Sequence, residues 1–221
     1  MDVKARMWNR MYRGTPTWEL GHADPTLLRV LDDRGIAGPG RALDVGCGTG
    51  DNAIALARRG FEVSAIDVAE RALARAREKA DRAGLAVEFR LADVTRLDDG
   101  EGSFDLIMDR GLLMSLFGEA ARRSYASALI RLTADGGSVY EYQWELPQDP
   151  RGLSPGWLAT KLRGFVVAPG EIQRRFGGRF LVETLHRSIE PTDDPGIRRM
   201  GIRRVAKTSY WLQRRPTDTA G

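Results

Sequence analysis

The chain has 221 residues, with 34 Lys and Arg against 30 Asp and Glu, a formal net charge of +4 and one cysteine, Cys47. A lone cysteine excludes an internal disulfide, and with only His22 and His186 beside it nothing is spaced for a structural zinc. No apolar run approaches the roughly 18 residues of a membrane span, so a metal-free, cytoplasmic protein that enters no membrane is expected.

Arginines supply the positive excess, and most are interleaved with acids, as in Glu70-Arg71 and Arg77-Glu78-Lys79. That is the pattern of solvated helix faces, and it argues against a nucleic-acid groove. The exception is Arg198, Arg199, Arg203 and Arg204. Residues 1–40 read as helical or irregular, close on the turn-forming Gly38-Pro39-Gly40, and have too little apolar content to fold alone, so they should lie over the rest. From residue 41 short apolar runs alternate with amphipathic segments, the signature of a mostly parallel sheet flanked by helices. Strands are expected at Arg41–Val45, Glu62–Ile66, Ala86–Leu91, Phe104–Asp109 and Ser138–Trp144. Helices are expected at Asp51–Arg59, at Ala69–Arg82 with a solvated face of Arg71, Arg75, Glu78 and Lys79, and at Glu119–Thr133, ended by Gly136-Gly137. Two later runs, Arg179–Arg187 and Lys207–Arg214, leave no room for a crossover helix between them and should pair antiparallel. The expectation is one domain over 1–221: an N-terminal segment 1–40, a core 41–145, and further elements with the last strands in 146–221.

The most informative stretch is Leu43-Asp44-Val45-Gly46-Cys47-Gly48-Thr49-Gly50-Asp51, where a strand runs into glycines and then a helix. Such glycines let a ligand approach the backbone and turn helix amides toward it. A dinucleotide fingerprint wants glycine at the sixth position, where Asp51 stands, and no Gly-Lys-Ser or Gly-Lys-Thr of a P-loop follows. Asp67, about 20 residues on, falls where a carboxylate takes ribose hydroxyls, and Asp93 closes the third strand at the edge where open α/β sheets bind ligands. Each acid taken alone also reads as a helix cap or turn residue.

Together, Asp44 to Gly50, Asp67 and Asp93 resemble the first three motifs of the class I S-adenosylmethionine-dependent methyltransferases, over roughly residues 40–145. The resemblance implies a Rossmann-like, doubly wound α/β fold: a mostly parallel seven-stranded sheet with an antiparallel last strand and an N-terminal helical lid. It implies S-adenosyl-L-methionine as cofactor, with Asp44, Gly46, Cys47, Gly48 and Gly50 holding the methionine moiety, Asp67 beside Val68 taking the ribose, and Asp93 with Val94 facing the adenine.

Phe104-Asp105-Leu106-Ile107-Met108-Asp109-Arg110-Gly111 is similar to the thiopurine S-methyltransferase group, as are Trp8-Asn9-Arg10-Met11-Tyr12 and Thr17-Trp18-Glu19-Leu20-Gly21. A third similar piece is Phe165 to Ile172 with Arg175-Phe176-Gly177 after it. In that group the N-terminal aromatic segment covers the cofactor, here Trp8 and Trp18, and the Asp-Arg pair after the fourth strand, here Asp109 and Arg110, borders the acceptor. Glu19 departs from the pattern, standing where an aspartate commonly follows the tryptophan.

Methyl transfer from a sulfonium is a displacement in which alignment does most of the work. A thiol or acidic heteroaryl acceptor supplies its own anion, so sulfur is the favoured acceptor atom, with O- or N-methylation of a small natural product or quinone the alternative. Arg110 would hold an anionic or carbonyl-bearing acceptor, unless it is spent on Asp109 or Asp105. His22 is the nearer histidine, with a surface or capping place as its other reading. A nucleic-acid or protein amino-methyltransferase usually carries Asn/Asp-Pro-Pro-aromatic where this chain has Met108-Asp109-Arg110-Gly111. A non-catalytic binding module would break the glycine loop or lose an acid, and neither is broken.

Overall fold

The computed structural model describes residues 3–97, 100–145, 166–192, 198 and 203–216. Seven strands form one sheet: β1 (Arg41–Val45), β2 (Glu62–Asp67), β3 (Glu88–Leu91), β4 (Phe104–Arg110), β5 (Thr133–Glu145), β6 (Phe180–Pro191) and β7 (Arg204–Arg214). The order is β3-β2-β1-β4-β5-β7-β6. β1 to β5 pair in parallel, and β7 runs antiparallel between β5 and β6. The strands of the centre are mostly apolar because both faces are covered, as for Ala42, Leu43 and Val45 of β1, each without exposed surface, and the acids among them, such as Asp44 and Asp109, are buried.

One face is covered by α2 (Pro25–Asp33), α3 (Asp51–Arg58) and α4 (Glu70–Ala83), the other by α5 (Leu112–Ser115), α6 (Glu119–Leu132) and α7 (Glu171–Phe176). α2 begins at Asp24, whose carboxylate accepts from the amides of Thr26 and Leu27 ahead of a proline in the first turn. It sends Leu27, Val30 and Leu31 onto Ala42, Leu106, Met108 and Trp211. The second half of the 1–40 segment thus carries a flanking helix. The rest, α1 (Val3–Met11) and the turn after it, docks on α4 through Trp8 and Tyr12 against Ala69 and Ala72.

The largest departures from the sequence expectation lie between α6 and β5 and in the last hairpin, where β6 runs on to Pro191 and β7 begins at Arg204. α6 stops at Leu132, because Thr133 already pairs with Phe104 and caps the helix by donating its hydroxyl to the Leu129 carbonyl. Gly136 and Gly137 thus sit inside β5 and do not end the helix; a Cβ on Gly137 would stand 2.9 Å from the Ala134 carbonyl oxygen and 3.1 Å from that of Asp105. β6 and β7 do pair antiparallel, with a bulge between Thr184 and His186. Every strand that feeds the site ends at one edge. The direction of chain travel reverses between β1 and β4, the position where open sheets gape and bind ligands.

Candidate functional site

The loop after β1 is built for close approach. Gly46, Gly48 and Gly50 have φ of +68°, +54° and +82°, and each is also short of room. A Cβ on Gly46 would stand 3.3 Å from Leu112 of α5, and one on Gly50 2.9 Å from Ala76 of α4, so the outer glycines pack elements together. A Cβ on Gly48 would stand 2.6 Å from Glu19 Oε1 and 2.9 Å from the Tyr12 hydroxyl, so this glycine faces the N-terminal segment. The Cys47 side chain is turned into the core, where burial pushes its thiol up, and only its backbone belongs to the loop.

Asp44, beneath the loop, is 1% exposed; the Ala53 amide donates to its carboxylate, yet Oδ2 has no partner among the described residues. Burial, aided by the charges of Asp109, Asp67 and Asp51, pushes its pKa up to about 8. Asp67, at the end of β2, accepts from the Gly48 amide at 2.9 Å and the Ala69 amide at 2.8 Å, tying loop and strand end together. Burial and the Glu19 charge raise it to about 6, against the pull of those amides. Asp93 caps the short turn Val94–Arg96 through Thr95, and the Val94 side chain is buried in the core. Val68 follows Asp67 and is half-buried.

The N-terminal segment lies over this edge as a strap. Trp8 and Trp18 meet edge to face with centroids 5.8 Å apart, and the Trp18 indole donates to the Tyr12 hydroxyl at 3.1 Å. Tyr12 donates to Glu19 Oε1 at 3.1 Å, and the Thr49 hydroxyl of the loop donates to Glu19 Oε2. Lys79 holds the other side of that hydroxyl at 2.6 Å and Asp51 at 2.9 Å. Arg75 grips the carbonyls of Gly14 and Tyr12 at 2.8 and 3.0 Å, and the Arg71 amide donates to Asn9 Oδ1 at 2.9 Å. The face of α4 read from sequence as solvated is therefore the anchor of the strap.

Arg110 does not pair with Asp109 or Asp105. Its Nε stands 3.1 Å from Asp24 Oδ2, its Nη1 donates to the Trp18 carbonyl at 3.2 Å, and its guanidinium lies 4.9 Å from the centre of the Tyr142 ring. The side chain keeps 20% of its surface. Trp144 donates to the Tyr142 hydroxyl at 2.9 Å, so Arg110, Tyr142 and Trp144 form a half-exposed aromatic and cationic wall.

Asp109 faces the opposite side of the sheet. It is without exposed surface, accepts from the amides of Leu112 and Leu113 at the start of α5, and receives the Tyr125 hydroxyl. The same hydroxyl lies 2.7 Å from Glu141 Oε1, while Gln143 Nε2 donates to Glu141 Oε2 at 2.5 Å and Gln143 Oε1 accepts from the Met114 amide at 3.2 Å. One tyrosine proton serves one acceptor, so the second contact must be donated by a carboxylic acid. Asp109, with two backbone amides, is the anion; Glu141, pushed well up by burial and by the Asp109 charge, holds the proton. Asp109 is thus held inside the sheet face that carries α5, fixing the start of that helix.

The structure thus brings Asp44, Gly46, Gly48, Asp67, Trp18 and Arg110 to one edge, with Trp8 behind Trp18. His22 is exposed, its Nδ1 2.8 Å from the Ala23 carbonyl oxygen. Arg198 and Arg203 are exposed; Arg204 opens β7 and donates to the Ile189 carbonyl, so it belongs to the hairpin and not to a loop, and Arg199 lies outside the described residues. Glu19, Thr49 and Lys79 were not foreseen as site residues, although the acid after Trp18 was visible as an anomaly. Among the described residues no group of three or more His, Cys, Asp or Glu could hold a metal ion, and no helix is long and apolar enough to cross a membrane.

Residues 42–137 match the family described as a methyltransferase domain. The chain is 30% identical over 141 residues to the 2-heptyl-1-hydroxyquinolin-4(1H)-one methyltransferase of Mycobacteroides abscessus, covering 60% of this chain and 61% of that protein. The chain thus spans less than two thirds of that relative's length. It is 33% identical over 98 residues to an uncharacterized methyltransferase of Schizosaccharomyces pombe, covering 44% of this chain and 67% of that protein. Among solved structures, the 1,6-didemethyltoxoflavin-N1-methyltransferase of Burkholderia thailandensis, with its acceptor and S-adenosylhomocysteine bound, superposes with a TM-score of 0.67 at 19% identity, covering 96% of this chain and 87% of that one.

Proposed function

The chain belongs to the class I S-adenosylmethionine-dependent methyltransferases, and from that premise we propose that it methylates a heteroatom of a small planar acceptor that is already anionic at neutral pH. The reading is carried by the glycine loop with its two acids: Asp67 bound to the Gly48 amide, and Asp44 buried with one carboxylate oxygen unpartnered. An acidic cradle without a phosphate clamp suits a donor with a cationic amino-acid end and a ribose. S-adenosylmethionine, when bound, supplies an activated methyl group on a sulfonium.

The residues of this chain then have separable tasks. Asp44 and the backbone of Gly46 to Gly48 hold the amino-acid end, Asp67 the ribose hydroxyls, and Asp93 with the Val94 backbone the base. The strap of Tyr12, Trp18 and Glu19 excludes water. Arg110 holds the acceptor's negative charge and Tyr142 and Trp144 its plane, which orients the nucleophile, the main source of acceleration in a displacement. Tyr12 and Cys47 are raised by burial and keep their protons at neutral pH, so neither is poised to take one from the acceptor. The acceptor therefore ionises by itself: a thiol or an acidic hydroxyl on a heteroaromatic ring. Sulfur remains the first reading on chemical grounds. The named acceptor of the mycobacterial relative, a hydroxylated heterocycle, supports oxygen as the second.

The test is incubation with isotope-labelled S-adenosylmethionine and a panel of heteroaryl thiols, hydroxyquinolones and simple phenols, with products read by mass spectrometry. Transfer to the acidic members and not to simple phenols is expected. Equal transfer to phenols of high pKa would overturn the self-ionising acceptor.

A further inference from the structure

Three carboxylates converge on the loop after β1: Asp44 beneath it, Asp67 beside it and Glu19 above it, brought by the strap. The nearby cation, Lys79, is taken by Asp51 and by the Thr49 hydroxyl, and none of the ion pairs among the described residues involves Glu19. Glu19 has two hydroxyl partners instead, Tyr12 from its own segment and Thr49 from the loop. The Asp44 oxygen left without a partner, on a side chain 1% exposed, shows that the cluster is completed by a donor these residues do not supply.

The strap has two kinds of hold. The Arg71 amide and Arg75 attach it to α4 through Asn9 and the carbonyls of Gly14 and Tyr12, contacts that do not touch the loop, while Arg110 of β4 holds the Trp18 carbonyl beside Glu19 and lets go when that end opens. The Glu19 carboxylate, within 2.6 Å of where a Cβ of Gly48 would stand, reaches the glycine that the donor must cross. An anion on the strap, over Asp67 and over Asp44, which becomes an anion when the donor's ammonium binds, sits in repulsion unless a further cation is enclosed with it.

We propose that Glu19 is a charge-reading latch, which holds the strap closed over the cationic donor and loosens it when the donor has become neutral at sulfur. The inference rests on the cofactor reading above. In the transfer, the methyl carbon bonds to the acceptor heteroatom as its bond to sulfur breaks; the electron pair of that bond stays on sulfur, and the positive charge there is gone. The anionic acceptor is neutralised in the same step. Three carboxylates then face one cation fewer, and the Glu19 contact to Thr49 loses its electrostatic support while the Arg75 and Asn9 anchors remain. The strap consequently opens at its Trp18-Glu19 end and hinges at α1, the direction that frees the product. Specificity follows too: a closed strap favours S-adenosylmethionine over S-adenosylhomocysteine.

The test compares binding of S-adenosylmethionine and S-adenosylhomocysteine to the full chain by calorimetry, together with tryptic cleavage at Arg10 and Arg13 as a readout of the strap. Wild type should prefer the sulfonium by about tenfold, less at high salt, and should be better protected from trypsin with it than with the thioether. In Glu19→Gln, which keeps the shape and one acceptor oxygen and removes the charge, the preference and the difference in protection should vanish while S-adenosylhomocysteine binds as before. In Thr49→Val, which removes the loop contact and keeps the charge, both ligands should weaken and the preference should persist. A preference unchanged in Glu19→Gln, or an equal loss for both ligands, would overturn the latch. Failure of wild type to bind either ligand would instead overturn the cofactor reading.

Discussion

Asp67 joins two roles in one side chain, since the oxygens expected to meet ribose hydroxyls already accept from Gly48 and Ala69. Asp67→Ala should cost about 2–4 kcal/mol of cofactor affinity through lost charge-assisted bonds, read by calorimetry on a variant whose circular dichroism is unchanged. Unchanged affinity would remove Asp67 from the site. The proton count around Tyr125 gives a sharper expectation. Glu141 is an acid, so Glu141→Gln should be nearly silent in thermal melting: the amide can donate to Tyr125 and still accept from Gln143. Tyr125→Phe should cost about 1–3 kcal/mol, because it leaves buried carboxyl groups unmatched. A large loss in Glu141→Gln would show that the proton sits elsewhere.

The N-terminal strap rests on α4 and on Arg110, and α2 packs on the sheet independently of it. Deleting residues 1–20 should therefore leave a cooperative melt and abolish turnover, because the cover that excludes water is lost; normal turnover would make Trp8 and Trp18 packing residues only. Gly38 has a different kind of importance. Its missing side chain leaves room for the Gly60 carbonyl, 1.9 Å from where a Cβ would lie, so Gly38→Ala should lower the unfolding free energy, read from denaturant melts, by about 1–3 kcal/mol with the site intact. At this scale the sequence was legible wherever periodicity carried the information. The parallel strands and the helices at 51 and 70 follow from alternation and apolar spacing, and Asp44, Asp67 and Asp93 from their places at strand ends. What stayed illegible depends on partners distant in the chain. Arg110 meets Asp24, and Arg75 and Lys79 meet residues brought in by the strap, whereas a charged residue on a helix reads locally as a solvated one. Asp109's place at a strand end is visible in the sequence, whereas the face of the sheet that sends it to Tyr125 is not.

For the molecule as a whole, buried acids set the response to pH. Asp44, folded, has a pKa raised to about 8, above its unfolded value, so its contribution to stability is complete at acid pH and is lost as pH rises toward 8. Asp67, raised to about 6, adds to the loss in the lower part of that range. Glu171, lowered overall by the Ala168 amide and by Arg122 and Arg175 in spite of its burial, acts in the opposite sense only below the ordinary carboxylate range. The free protein should melt at falling temperature between pH 6 and pH 8, Asp44→Asn should flatten that slope, and S-adenosylmethionine should bind with proton release, more tightly as pH rises. Proton uptake on binding, measured by calorimetry in buffers of different ionisation enthalpy, would refute the assignment.

The antiparallel β7 lies between β5 and β6, although it follows both in the chain. Its residues are buried almost end to end, while β6 is an edge with Leu181 and Ile189 exposed, a bulge after Thr184 and a terminal proline. A ribosome therefore delivers the rim of this sheet before the rung that carries it. Until Arg204–Arg214 have emerged, β5 and β6 must wait apart, each with an open row of amides and carbonyls awaiting the same late arrival. Strands β1 to β4 have no such delay, and a nascent chain can assemble the glycine loop after β1 while its far side is still unfinished. Translation stalled near residue 203 should yield a chain with a formed loop but a sticky flank, detectable as donor binding that coincides with capture by chaperones.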